Sequence, residues 1–277
     1  MTALSTRHQA FWDLHQTGCF VIPNPWDVGT AKLMAATGAK ALATTSAGFA
    51  FTAGKPDMGN LTREESLEHA AAIVAATPLP VSGDLENGFG DDPDDVAETI
   101  RLAREAGLSG CSIEDTQMVA SNPAYGFTRA VDRIRAAVEA AKSLTDPFVL
   151  CARADGVMNG SYDMDEAYER IRAYEAAGAS LAYVPVVPDA ESLERVVDAV
   201  TIPVNALAVG AVARLSVTQI AALGVRRISV GSMIARMTHA ATLSAMRSII
   251  AEGNFEPFAT AADGATVDRF LSEGSGA

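Results

Sequence analysis

Cysteine is scarce in this 277-residue chain and nowhere paired. Cys19, Cys111 and Cys151 are an odd number, far apart, each in or beside a short apolar run. That excludes a disulfide scaffold and a thiolate zinc site, and buried free thiols are the expected state. The four histidines, His8, His15, His69 and His239, lack the clustering that a zinc site needs. Positive charge is also in deficit. With 21 Lys and Arg against 34 Asp and Glu, the formal net charge of −13 would repel a phosphate backbone, so nucleic acid and anionic lipid are not expected partners. No apolar stretch reaches about 18 residues, and no basic segment leads into an apolar run at the N-terminus. Neither a membrane span nor secretion is expected, and the default expectation is a cytoplasmic protein. Finally, no stretch rich in Pro, Gly or Ser divides the chain, and only residues 272–277 read as a loose tail. With 49% hydrophobic and 20% charged residues, one large core can form, so residues 1–277 are read as a single domain.

What is present is an alternation. Short β-branched or apolar runs at residues 20–23, 41–45, 80–83, 110–113, 148–152, 181–184, 203–205 and 227–230 are separated by segments of helical period. A leading helix is expected at residues 5–16. The segment 62–76 opens with capping-box spacing, Thr62 to Glu65, and 163–177 ends at Gly178 as a C-capped helix does. Strands that alternate with helices run parallel, and eight such units close naturally into a (β/α)8 TIM barrel. A doubly wound open sheet is the other arrangement open to the same alternation.

A barrel of this kind builds its active site at the carboxyl ends of the strands. The residues following each run are strongly polar: Asn24 and Asp27, Ser46, Asp84 and Glu86, Glu114 and Asp115, Arg153 and Asp155, Asn205, and Ser232. Singly, each fits a turn or a helix cap. Together they make a carboxylate-rich mouth with one cation. Two carboxylates about 4 Å apart repel by about 4 kcal/mol at an effective dielectric near 20, so such crowding calls for a cation or a bound proton. Oxygen-only ligands favour a hard ion, Mg²⁺ with Mn²⁺ as a substitute. Arg153 has a planar fork that suits a carboxylate or phosphonate, or else it neutralises Glu114. Ser46, Ala47 and Gly48 form a small-residue turn where backbone N–H groups can approach an anion.

In this order and spacing the residues resemble the isocitrate lyase/phosphoenolpyruvate mutase superfamily. The resemblance runs from about Pro23 to Met233. Its matching stretches are Asn24-Pro25-Trp26-Asp27, Thr45-Ser46-Ala47-Gly48, Gly54-Lys55-Pro56-Asp57-Met58-Gly59, Asp84-Leu85-Glu86-Asn87-Gly88-Phe89-Gly90, Ser112-Ile113-Glu114-Asp115 and Ala152-Arg153-Ala154-Asp155. The resemblance implies a Mg²⁺ site in which Asp84 binds the metal directly while Asp57, Glu86 and Glu114 hold its waters. It further implies that Ser46, Ala47 and Gly48 bind the substrate carboxylate, with Arg153 on the other oxygens; Asn205 is a further substrate-binding candidate from its strand end. The implied chemistry is formation or collapse of a pyruvate-like enolate from a small 2-oxo or 2-hydroxy di- or tricarboxylate. Arg153, Glu114 and Ser46 are then the catalytic candidates.

Two departures from the family pattern stand out. Glu86 replaces the usual Asp, and the loop at residues 116–126 has none of the Cys, Lys or His that the family's lyase and mutase branches carry there. Tyr125 and Ser121 are the remaining candidates for moving a proton from that loop. Carbon–carbon cleavage by oxaloacetate-type decarboxylation is therefore the favoured expectation. Phosphoenolpyruvate/phosphonopyruvate mutase or hydrolase activity, or non-catalytic binding of a 2-oxo acid, are the alternatives. From about residue 232 a helical extension reaches residue 252 with Met233, Ile234, Met237, Leu243, Met246, Ile249 and Ile250 on it. So wide an apolar surface suits burial by a second chain, and the resemblance implies a C-terminal helix exchanged between subunits in a homo-oligomer, a dimer of dimers.

Overall fold

The computed structural model describes residues 2–119 and 121–276; Met1, Ala120 and Ala277, which the single-domain and loop readings include, lie outside the described residues. Eight parallel strands form the centre: β1 (Phe20–Ile22), β2 (Leu42–Ala43), β3 (Val81–Asp84), β4 (Gly110–Glu114), β5 (Val149–Arg153), β6 (Leu181–Tyr183), β7 (Val204–Leu207) and β8 (Arg227–Ser229). Around them and beyond run α1 (Ala3–Leu14), α2 (Val28–Ala36), α3 (Ser46–Thr52), α4 (Arg63–Ala76), α5 (Pro93–Glu105) and α6 (Phe127–Lys142). The remainder are α7 (Gly156–Asn159), α8 (Met164–Ala177), α9 (Ala190–Asp198), α10 (Val217–Ala222), α11 (Met233–Glu252) and α12 (Gly264–Glu273).

The strand order β1-β8-β7-β6-β5-β4-β3-β2 brings the first and last strands side by side. An open doubly wound sheet would keep them apart. The remaining gap, between β1 and β2, is crossed by one bond from Ala43 N–H to Pro23 O at 3.1 Å. Asn24 reinforces that seam: its Nδ2 donates to Thr44 O, and its Oδ1 accepts from Val230 and Gly231 N–H at 2.9 Å each. The result is a nearly closed (β/α)8 barrel, and one of the strand-end polar residues is its fastening.

The sequence pattern ends β3, β4 and β5 at their last apolar residue, but the ladders run on to Asp84, Glu114 and Arg153. The barrel wall continues where its lining turns polar. Residues 46–48, expected as a turn, are instead the first turn of α3, with the Thr45 hydroxyl accepting from Gly48 N–H at 3.2 Å. Elsewhere the caps match the pattern. Thr62 and Glu65 form a reciprocal capping box, and α8 stops at Gly178 with φ +103°.

The larger apolar core lies between the strands and the outer helices, while a smaller one fills the inside of the barrel, from α1 at its bottom up to Tyr183. There α1 acts as a plug. Its Phe11 is fully buried against Phe20, Ile22, Val149, Cys151 and Leu181, worth roughly 2–3 kcal/mol for such a side chain. Closing the bottom leaves the mouth at the carboxyl ends as the way into the barrel.

Candidate active site at the mouth of the barrel

A cavity of about 120 Å³ opens at the mouth. It is lined by Ser46 and Ala47 from α3, Asp57 from the loop before α4, Asp84 and Glu86 from the end of β3, Glu114 from β4 and Arg153 from β5. The structure therefore gathers seven of the expected site residues. Four carboxylates face one guanidinium.

Arg153 organises them. Its Nη1 lies 3.1 Å from Asp84 Oδ1 and 2.9 Å from Glu114 Oε1. Its Nε and Nη2 donate to the two oxygens of Asp155 at 3.0 and 2.6 Å. One of the two edges of the guanidinium suited to clamping a carboxylate, Nε with Nη2, is thus turned to Asp155. Burial works against its charge, but Asp155, Glu114 and Asp84 together hold Arg153 protonated well above its ordinary range. The ring of Tyr183 packs 5.0 Å from Arg153 Cζ.

Asp84 is the most heavily donated carboxylate at the mouth. Oδ1 receives Arg153 and, at 3.4 Å, the Ser112 hydroxyl; Oδ2 receives the Ser46 N–H and hydroxyl at 2.9 and 2.8 Å. The Ser46 donors, expected to hold a substrate carboxylate, here hold Asp84. Glu86 sits at φ +47°, a conformation that costs a non-glycine residue about 1 kcal/mol or more. It is held there by Glu114 N–H on its carbonyl at 2.8 Å and Gly59 N–H on its Oε1 at 3.1 Å. Its Oε2 is buried with no partner among the described residues. Burial pushes the Glu86 carboxyl up to about 7, with Asp84 and Asp57 adding to the shift. Burial likewise raises Asp57, and raises Glu114 well above the carboxylate range.

Among the described residues no three His, Cys, Asp or Glu side chains converge closely enough to hold a metal by themselves. The donor set fits a different kind of cation site. One directly bound carboxylate, ringed by others at the distance of a water, is how a small hard ion that keeps most of its hydration is held. The unpartnered Glu86 Oε2 and the raised carboxyls of Glu86 and Asp57 are compatible with such an ion.

Several expected residues stand apart. Gly48 is buried in α3, where an added Cβ would lie 2.6 Å from Thr45 Cγ2 and 3.0 Å from Trp26 Cβ, so its smallness serves packing. Asn205 lies deeper, in an inner cavity of about 50 Å³, its amide shared between Arg227 Nε at 2.8 Å and the Ser229 hydroxyl at 2.9 Å. Asp27 caps α2. Asp115 is buried among Tyr162, Tyr174 and Arg170. Tyr125, near the end of the loop, is buried, bonded to Asp91 and Asn87, and its hydroxyl is pushed up to about 12 by burial and by Asp91. It offers the cavity no acid, Ser121 is not among the lining residues, and what the loop contributes is Met118. Tyr183, Met158, Leu207 and Gly231 also line the cavity. Tyr183 and Leu207 end β6 and β7, so the strand-end rule had the power to find them; Met158, in the four-residue α7, carries no sequence signal.

Residues 11–250 match the phosphoenolpyruvate phosphomutase family. A crystal structure from Burkholderia cenocepacia J2315, described only broadly as a lyase/mutase, superposes with a TM-score of 0.93 at 46% identity, covering 98% of this chain and 97% of that one. The 2-methylisocitrate lyase of Escherichia coli K12 is 35% identical over 161 residues, 55% of this chain and 52% of that enzyme. An oxaloacetate decarboxylase of Chromohalobacter salexigens is 31% identical over 198 residues, 70% of this chain and 64% of that enzyme. These matches thus span half to somewhat under two thirds of the named enzymes' own length. With one family matched across most of its residues and the barrel of that family around a carboxylate-lined mouth, the chain belongs to the isocitrate lyase/phosphoenolpyruvate mutase superfamily.

Proposed function

We propose that the protein is a Mg²⁺-dependent carbon–carbon lyase that acts on a small 2-oxo or 2-hydroxy di- or tricarboxylate through a pyruvate-like enolate, with oxaloacetate-type decarboxylation favoured. The observation that carries this is Arg153 Nη1, 3.1 Å from Asp84 and 2.9 Å from Glu114, inside a cavity ringed by four carboxylates. Asp84 would bind the cation, with Asp57, Glu86 and Glu114 holding its waters. When bound, Mg²⁺ supplies Lewis-acid stabilisation of a developing oxyanion. Arg153 adds a fixed N–H donor at the same place, a contribution typically worth a factor of 10²–10³ in rate. Ser46 keeps Asp84 oriented. A cavity of about 120 Å³, well below the roughly 300–1,000 Å³ of pockets that take drug-sized ligands, suits a small acid.

Decarboxylation is favoured by what the loop after β4 lacks. Cleavage that must deprotonate a hydroxyl and reprotonate a departing carbanion needs positioned acids and bases near neutral pH, and Tyr125 is engaged elsewhere. Loss of CO₂ needs no hydroxyl proton removed, and water can protonate the product. An oxaloacetate decarboxylase stands beside a 2-methylisocitrate lyase among the similar proteins, so the preference rests on the loop. The test is a product screen with Mg²⁺ over oxaloacetate, methylisocitrate, substituted malates and phosphonopyruvate, corrected for the rate with cation alone. Pyruvate from oxaloacetate should form faster than methylisocitrate is cleaved. Methylisocitrate cleavage with kcat/KM of roughly 10⁴ M⁻¹s⁻¹ or more would overturn the loop argument, turnover of phosphonopyruvate would favour the mutase or hydrolase reading, and oxalate binding without any turnover would make this a binding protein.

A further inference from the structure

We propose that Asp155 is a positioning residue that fixes the Arg153 guanidinium so that Nη1 is delivered to Asp84 and Glu114 at the cavity, and that buried Asp115 holds Asp155 in place through its main chain. The role in catalysis rests on the function proposed above; the geometry stands without it. Nε and Nη2 form one of the two edges by which an arginine grips a carboxylate in two-point fashion. Both are bonded to Asp155, at 3.0 and 2.6 Å, before any substrate arrives. The ring of Tyr183 stands 5.0 Å from Cζ. What remains is Nη1, held between Asp84 and Glu114, and the second N–H of Nη2. An arginine fixed in this way brings its remaining N–H groups to the cavity at a set angle, ready for a developing oxyanion.

Asp155 is fully buried, so its orientation is set by protein groups. Its N–H donates to Asp115 Oδ1 at 2.8 Å. The other oxygen of Asp115 accepts from Tyr162 at 2.8 Å, Tyr174 at 2.7 Å and Arg170 Nη1 at 3.0 Å. Four donors on one buried carboxylate leave it no second arrangement of equal quality. Gly156, next to Asp155, packs so closely on this network that an added Cβ would lie 2.1 Å from the Tyr162 ring. The same network reaches the loop after β4: Tyr125 N–H donates to Asp115 O at 2.8 Å and Arg170 Nη2 donates to Tyr125 O at 2.9 Å. From Tyr162 and Tyr174 through Asp115 and Asp155 to Arg153, each link is a hydrogen bond, and only the last touches the cavity.

The test uses Asp155→Asn, which keeps the shape but can accept from only one of the two arginine nitrogens. Kcat on oxaloacetate should fall about 100-fold, while the Kd of oxalate with Mg²⁺ changes less than about threefold, because the cation's ligands are intact. In protein labelled with ¹⁵N-arginine, the Arg153 Nε–H signal, identified by its loss in Arg153→Lys, should exchange slowly with water in the native protein and rapidly in Asp155→Asn. A folded Asp155→Asn protein with native kcat, or with Nε–H protection unchanged, overturns the proposal. Should that variant not fold, Tyr162→Phe with Tyr174→Phe removes two of the Asp115 donors, and unchanged Nε–H protection there overturns it equally. If the native protein turns over none of the acids, the proposed function fails, and the Nε–H comparison still decides the positioning role.

Discussion

Asp84 and Arg153 show how differently two neighbouring charges can be used. Removing the Asp84 carboxylate takes away the one direct ligand assigned to the cation, so Asp84→Ala should weaken Mn²⁺ binding, followed by its electron paramagnetic resonance signal, by about 100-fold or more and abolish turnover. Glu86→Asp, which keeps a carboxylate one methylene shorter, should retain measurable activity; total loss would mean that the reach of Glu86, not its charge, is what matters. Arg153→Lys should cost kcat about 10²–10³-fold, since one ammonium cannot hold Asp155 and also reach Asp84 and Glu114. Activity within a few-fold of native would reduce Arg153 to a structural counter-ion. At this scale the sequence was informative where chemistry and spacing coincide, as at Asp84, Glu86 and Glu114. It was silent on direction. Nothing in Ala152-Arg153-Ala154-Asp155 says that the fork of Arg153 turns back onto Asp155, and nothing in Asn205 says that its amide points at Arg227.

At the scale of elements, α1 does for the bottom of the barrel what the polar strand ends do for the top. His15, at its C-cap, is buried, with Nδ1 on Phe11 O at 2.8 Å and its ring edge-on to Phe11 and Phe20. Burial, helped by the Arg227 charge, lowers its pKa from 6.5 to about 3. Between those values the unfolded chain binds a proton that the folded chain does not, so stability contributed by neutral His15 is whole above pH 6.5 and is lost as the pH falls toward 3, by on the order of 5 kcal/mol. Urea unfolding should therefore show the stability gap between native protein and His15→Gln narrowing from pH 7 to pH 4; a constant gap would contradict the burial argument. The elements themselves were largely legible, because eight apolar runs and their caps obey local rules. Two things were not. Strand ends in a polar barrel mouth lack the apolar signal that marks a strand, and α3 hides in Ser46-Ala47-Gly48, small residues that read as a turn until Thr45 is seen to cap them.

At the scale of the whole molecule, α11 leaves the barrel with only Ala235 buried along its 20 residues. Met237, Leu243, Met246 and Ile250 are 65%, 57%, 46% and 77% exposed, and Phe255 and Phe258 follow them. The chain then returns, and α12 packs on α2. An apolar face of this kind is ordinarily covered, and we propose a homo-oligomer in which a second copy covers it, a tetramer built as a dimer of dimers. Light scattering at micromolar concentration should give a multiple of the 28.8 kDa chain mass; a monomer would leave the face unexplained. No described helix is long and apolar enough to cross a membrane, so a bilayer-spanning segment does not account for this surface.

In the function proposed above, the mouth is a cation-assembled site for an enolate. Oxalate, planar and dianionic like that enolate, probes it without turnover. Titration calorimetry of the native protein with oxalate, in Mg²⁺ and again in excess chelator, is the most direct measurement. One oxalate per chain is expected with Mg²⁺, none detectable without it, and none in either condition for Asp84→Ala. Oxalate binding that is indifferent to the cation, or absent with it, would rule out a cation-assembled site.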